Sequence, residues 1–157
     1  MTDRPRILLV LSTTRESEKS VDVAIARAKE SGGELLVLLV LDEDLPRNIV
    51  DHLTERGFIG NTPSSQLYDA ILKEYEIQGK TRFEAVKRRA EAASVPCRAI
   101  MTRGSFAQQT LAVIRREGVT TAVITKRKRS NLSRFLLGSV VKDLREKSPC
   151  EVLIVGE

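Results

Sequence analysis

Two apolar runs dominate the amino-terminal part of the chain, Arg6 to Leu11 (RILLVL) and Glu34 to Leu41 (ELLVLLVL). Runs of that length without alternation are what a parallel sheet buried on both faces demands of its central strands. Between them Val21, Ala24, Ile25 and Ala28 recur at i, i+3, i+4 and i+7, which is one face of a helix. Thr13 followed by Glu16 reads as a capping box at its start, and Gly32-Gly33 ends it. Strand, helix, strand in this order predicts a parallel crossover unit.

Asp42 to Pro63 breaks the pattern with Pro46, Gly57, Gly60, Asn61 and Pro63, and reads as a connection with one or two helical turns around Asn48 to Arg56. Helical spacing resumes at Ser64. Leu67, Ile71 and Tyr75 share one face, while Phe83, Val86, Ala90 and Ala93 form another run. Gly79 between them predicts a kink or break, and Pro96 stops the helix. Tyr68, Tyr75 and Phe83 read most simply as helix-core contacts. Cys97 to Thr102 predicts a third strand. Ser105 with Gln108 predicts a capped helix carrying Ala107, Leu111 and Ile114. Val119 to Thr125 and Glu151 to Val155 predict the fourth and fifth strands. The alternation of elements gives an α/β fold with a five-stranded, mostly parallel sheet.

Length and composition narrow the class. A chain of 157 residues suits one domain, and 41% hydrophobic with 30% charged residues excludes a disordered chain. The longest apolar run is seven residues, too short to span a bilayer. Ile7 to Leu11 is too short for a signal-peptide core, so the expectation is a cytoplasmic protein. Cys97 and Cys150 are too few and too far apart for a disulfide framework or a zinc site.

Charge changes the picture more. From Arg103 to Arg134 eight basic residues face one acid, Glu117, a net +7 in a chain of net +5. The core of that excess follows directly on the fourth strand. The stretch Thr121 to Val141 reads TAVITKRKRSNLSRFLLGSVV. A buried strand ends in Lys126, Arg127, Lys128 and Arg129, and Gly138-Ser139 then opens a helical pattern with Val140, Val141 and Leu144. Free amides at a helix start and its positive dipole end favour an anion. A solvated basic face and plain helix capping by Ser139 account for the same residues without a ligand.

The same stretch resembles the last strand-helix-strand unit of the universal stress protein family. Nucleotide-binding members carry Gly, two residues, Gly, nine residues, then Gly followed by Ser or Thr. Here the frame places Thr125 and Lys128 at the first two glycine positions and Gly138-Ser139 at the last pair. Gly104 before the following helix and Val40 with Asp42 at the end of the second strand also match, while Ser12 replaces the family's turn aspartate. The resemblance covers nearly the whole chain. It implies a Rossmann-like sheet of order 3-2-1-4-5 with helices on both faces. The ligand then sits in the crevice where strands 1 and 4 meet, at their carboxyl ends.

By position the resemblance implies a nucleotide site at Ser12, Thr13, Val40, Thr125, Lys126, Arg127, Lys128, Arg129, Gly138, Ser139 and Val140, with ATP and Mg²⁺ as its ligands. The glycine losses argue the other way. A side chain where the backbone takes positive φ costs on the order of 1–2 kcal/mol, and a micromolar site holds only about 8 kcal/mol in all. The leading expectation is thus a stress-response module with a degenerate nucleotide site, acting through dimerisation and partner contacts. The alternative is a true ATP or AMP binder that uses its basic loop for the phosphates.

The family pairs its C-terminal strands across a two-fold axis, so a homodimer through Glu151 to Val155 is expected. Enzyme readings find no base. The sole histidine, His52, lies in the irregular connection with no Ser or Cys motif beside it and reads as a surface residue. Slow ATP hydrolysis is the most the family implies. Asp42, Glu43 and Asp44 could hold Mg²⁺, but equally form a solvated acidic loop. Nucleic-acid binding is not expected, because only 4% of residues are aromatic and none is Trp.

Overall fold

The structure, a computed structural model, describes residues 4–12, 17–57, 61–126 and 134–156. Its elements in chain order are β1 (Arg6–Leu11), α1 (Glu18–Ser31), β2 (Glu34–Asp42), α2 (Asp44–Glu55), α3 (Asn61–Ala92), β3 (Cys97–Gly104), α4 (Phe106–Glu117), β4 (Thr121–Thr125), α5 (Arg134–Lys147) and β5 (Glu151–Val155). All pairings are parallel and the sheet order is β3-β2-β1-β4-β5. Cys97 and Cys150 therefore stand at opposite edges, both as free thiols.

The continuous apolar runs are explained by burial on two sides. Alternate residues of β1 and β2 feed two separate cores. Leu9, Leu11, Val37 and Leu39 pack with Val21 and Ala24 of α1 and Val86 and Ala90 of α3. Leu8, Val10, Leu36 and Val40 pack with Leu111 and Ile114 of α4 and Leu144 of α5. Every residue from Ile7 to Val10 is at most 1% exposed. Among the described residues no helix is long and apolar enough to cross a membrane.

Glycine ends two of the crossover helices by the same device. Gly32 takes φ +69°, and the Gly32 and Gly33 amides reach back to the Lys29 and Ala28 carbonyls. Gly118 takes φ +63° after α4. Ser94 does the same after α3 at φ +60°, the one non-glycine residue in that region among those described. The amino ends of the strands are then tied by charge. Arg6 pairs with Glu34 at 3.1 Å and donates to the Glu117 carbonyl, and Arg98 pairs with Glu117 at 2.6 Å.

Four expectations need correction. Asp42 to Pro63 is not an irregular connection: α2 occupies Asp44–Glu55 and α3 already begins at Asn61. Pro46 and Pro63 each fall at the third position of a helix, where the missing N–H has no intrahelical partner to lose. Gly79 does not break α3, which runs 32 residues through it. Gly138-Ser139 does not open α5, which starts a turn earlier at Arg134. Tyr68 is not a core contact. Its hydroxyl donates to Glu43, and Arg47 and Arg103 lie over its ring at 5.8 and 5.9 Å.

Candidate functional site

The carboxyl ends of β1 and β2 open into a cavity of about 540 Å³. Leu11, Ser12, Leu39, Val40 and Leu41 form its floor. Its roof is one face of α3, where Tyr75, Gln78, Gly79 and Arg82 line it. That volume and its mainly apolar lining with a few polar groups are those of a small-molecule site. Ser12 and Val40, two of the predicted nucleotide residues, thus meet at one place.

Thr125 lies beside this floor on β4, whose register with β1 runs from Ile7↔Thr121 to Val10↔Ile124. Its side chain is fully buried, and its hydroxyl is 2.5 Å from Ser20 Oγ on α1. Ser20 in turn meets Ser17, the N-cap of α1, at 2.9 Å, and Ser17 Oγ accepts from the Ser20 amide. The helix is therefore capped by Ser17 rather than by a Thr13–Glu16 box. Thr13 itself lies outside the described residues. Ser105 does precede α4 as predicted, but its side chain makes no capping hydrogen bond.

This hydroxyl chain corrects the cost assigned to the first missing glycine. Thr125 is the last residue of a strand and does not take positive φ. Its side chain is spent on the α1 side. Removing either hydroxyl breaks this one bond, which costs about 0.5–1.5 kcal/mol. Thr125→Val and Ser20→Ala are each expected to cost about that much, and the double variant clearly less than their sum. Urea denaturation of the three variants reads the coupling. Strict additivity would show that the two hydroxyls do not meet.

Few groups of the stretch after β4 fall among the described residues. The Lys126 amide donates to Val155 O at 2.8 Å, so it is committed to the sheet, while the Lys126 side chain is exposed. Because α5 starts at Arg134, the free amides of its first turn lie before residue 137 and are not those of Gly138 or Ser139. Val140 is half-buried against the α4 side of the core. Arg127, Lys128 and Arg129 lie outside the described residues.

Sequence reasoning missed the roof. Nothing in a motif points to Tyr75, Gln78 or Arg82; the one available signal was a lone glycine, Gly79, in a long helical pattern. Arg82 is held by Glu18 of α1 at 3.2 Å, and Glu18 also pairs with Arg89 at 2.6 Å. Burial, and then the nearby Asp42 carboxylate, raise the Tyr75 hydroxyl above the ordinary tyrosine range.

The acidic turn after β2 is engaged elsewhere. Arg103 donates to Glu43 at 2.8 Å and, chiefly by that bond, holds its carboxyl below the ordinary range. No cluster of three His, Cys, Asp or Glu fit for a metal occurs among the described residues. His52 is exposed on α2. Burial raises the Cys97 thiol to about 11, so it stays protonated and unreactive near neutral pH.

Comparison with known proteins agrees with this geometry. A universal stress protein from Lactobacillus plantarum, UspA, superposes with a TM-score of 0.74 over 99% of both chains at 12% identity. A universal stress protein family protein from Arabidopsis thaliana with AMP bound superposes at 0.61, covering 98% of this chain and 92% of that one at 13% identity. In sequence, the chain is 29% identical over 150 residues to the universal stress protein YxiE of Bacillus subtilis, covering 96% of this chain and 97% of the relative. The model of the universal stress protein family matches residues 4–156, and the chain belongs to that family.

Proposed function

We propose that this protein is a stress-response module that binds an adenylate-type ligand by its nucleoside part, with a phosphate site weaker than that of glycine-complete relatives. The observation that carries this reading is the cavity at the ends of β1 and β2, with Ser12 and Val40 in its floor. About 540 Å³ suits a mononucleotide. The Arabidopsis relative with AMP bound supports the ligand class. The weak phosphate side follows from the Lys126 amide being taken by Val155 and from Gly138-Ser139 lying inside α5. Such a site discriminates little between AMP and ATP and gains little from Mg²⁺.

Calorimetric titration with AMP, and with ATP in the presence and absence of Mg²⁺, tests it. AMP and ATP binding within about fivefold of each other, the order of 1 kcal/mol, is expected. ATP binding that is far tighter and Mg²⁺-dependent would favour the alternative, a true ATP binder that recruits Lys126, Arg127, Lys128 and Arg129 to the phosphates. No heat with either nucleotide sinks both.

A second reading, a homodimer through β5, is favoured by the contrast between the sheet edges. The β3 edge carries exposed Arg98 and Arg103, charges that discourage strand addition. The β5 edge offers Val152, Leu153 and Ile154, all partly exposed and uncharged. A monomer by light scattering at micromolar concentration would remove this reading.

A further inference from the structure

The two ends of the cavity differ in charge. Tyr75, Gln78 and Arg82 fall at i, i+3 and i+7 of α3, one face of the helix, and all three line the cavity. Among the described residues of the lining, Arg82 is the one cation and Glu74 the one carboxylate. From Glu74 to Arg82 the helix advances about 12 Å, at a rise of about 1.5 Å per residue. Asp42 adds to the acidic end, since its carboxylate acts on the Tyr75 hydroxyl. Gln78 is turned the same way and donates to Glu74 at 3.3 Å. A ligand that carries negative charge is repelled from this end and drawn to Arg82.

Arg82 meets Glu18, in the first turn of α1, with Nη1 and Oε1 3.2 Å apart. That contact is readily exchanged. The Glu18 side chain is 70% exposed, and an ion pair so open to solvent is worth little. Glu18 also has a second cation, Arg89, at 2.6 Å, and Arg89 pairs in turn with Asp22 on the next turn of α1. Arg89, Glu18 and Asp22 therefore tie α1 to α3 without the help of Arg82. The Arg82 side chain is only 27% exposed, so an anion held against it inside the cavity is screened less than Glu18 is. A guanidinium also matches a phosphate or carboxylate with two parallel donors.

We propose that Arg82 is the anion-binding residue of the cavity: it exchanges Glu18 for the anionic group of a bound ligand, with Glu18 as the competing partner. The proposal rests on the adenylate reading for naming that group a phosphate, but not for the role of the cation. One guanidinium grips one phosphate and does not count the others. That is in keeping with the similar affinities expected for AMP and ATP, and it separates both from uncharged adenosine.

Calorimetry with AMP and adenosine on the wild type and three variants tests it. The wild type is expected to bind AMP about tenfold tighter than adenosine, the size of one charge-assisted hydrogen bond. Arg82→Gln is expected to lose that preference and to keep its adenosine affinity. Glu18→Gln removes the competitor and is expected to bind AMP severalfold tighter, which reads the same contact with Arg82 in place. Asp22→Asn removes a nearby carboxylate that pairs with Arg89, and controls for general charge; AMP affinity is expected to change by less than about twofold. A wild type that binds AMP and adenosine equally overturns the proposal. So does a preference for AMP that survives Arg82→Gln, or a Glu18→Gln variant that binds AMP no tighter than Asp22→Asn does. If the wild type binds neither compound, the adenylate reading fails and inorganic phosphate decides the role of Arg82. A rise in Tm with phosphate over chloride of equal ionic strength, present in the wild type and lost in Arg82→Gln, supports it. No rise in the wild type, or an equal rise in both, rejects it.

Discussion

Gly33→Ala is expected to destabilise the domain by about 3 kcal/mol, at the upper end of what overpacking costs, and to lower Tm by about 6–12 °C. A Cβ at residue 33 would lie 2.2 Å from Pro5 O and 2.9 Å from Pro5 C. Both are backbone, so no rotamer change relieves the clash. The same Pro5 oxygen accepts the Glu34 amide at 3.0 Å, the bond that starts β2 beside β1. Making room therefore spreads the two central strands where they first pair. Adjacent Gly32 is the control. It takes φ +69° but has open space around a Cβ, so Gly32→Ala should cost only about 1–2 kcal/mol from left-handed strain. Urea denaturation of both variants decides the matter. A Gly33→Ala variant within 1 kcal/mol of wild type would mean that the β1–β2 start is not placed as described.

The second large effect belongs to Leu144. It is fully buried, and it carries α5 into the core beside Leu111 and Ile114 of α4 and Ile124 of β4. Leu144→Ala loses the transfer energy of the side chain and leaves a cavity, a combination that costs about 3–5 kcal/mol at sites that cannot collapse. This is a fifth or more of the total stability of an ordinary domain, about 5–15 kcal/mol. The denaturation midpoint should fall accordingly, with little change in slope. A loss below 1 kcal/mol would mean that α5 is not seated on the sheet through this residue.

The strands were legible because a buried parallel sheet writes itself as unbroken apolar runs, as in RILLVL and ELLVLLVL. Strand order came from the family resemblance, and β3-β2-β1-β4-β5 agrees with it. Three failures share one cause. Pro46, Pro63 and Gly79 were read as breakers, but a breaker's meaning depends on its position in a helix that the local pattern does not reveal. Proline is harmless in a first turn, and glycine is tolerated when the rest of the helix is anchored by residues such as Leu72 and Val86. The start of α5 differs for a related reason, since Gly-Ser reads locally as a good helix entry although the helix begins at Arg134.

For the site, Ser12 and Val40 were legible by resemblance and the structure brings them to one cavity. The consequence of Thr125 was not legible, because its partner Ser20 is 105 residues away. The α3 roof was not legible either. Tyr75, Gln78 and Arg82 have unremarkable helical spacing, and only the tertiary fold lays that face across the ends of β1 and β2.

The charges that join Arg6, Glu34, Arg98 and Glu117 have a mechanical meaning. Each exposed pair is worth little alone, yet together they rivet β1, β2, β3 and the tail of α4 at a single pole of the molecule. A sheet pinned at one pole and holding its cavity at the other behaves like a fan closed at the handle.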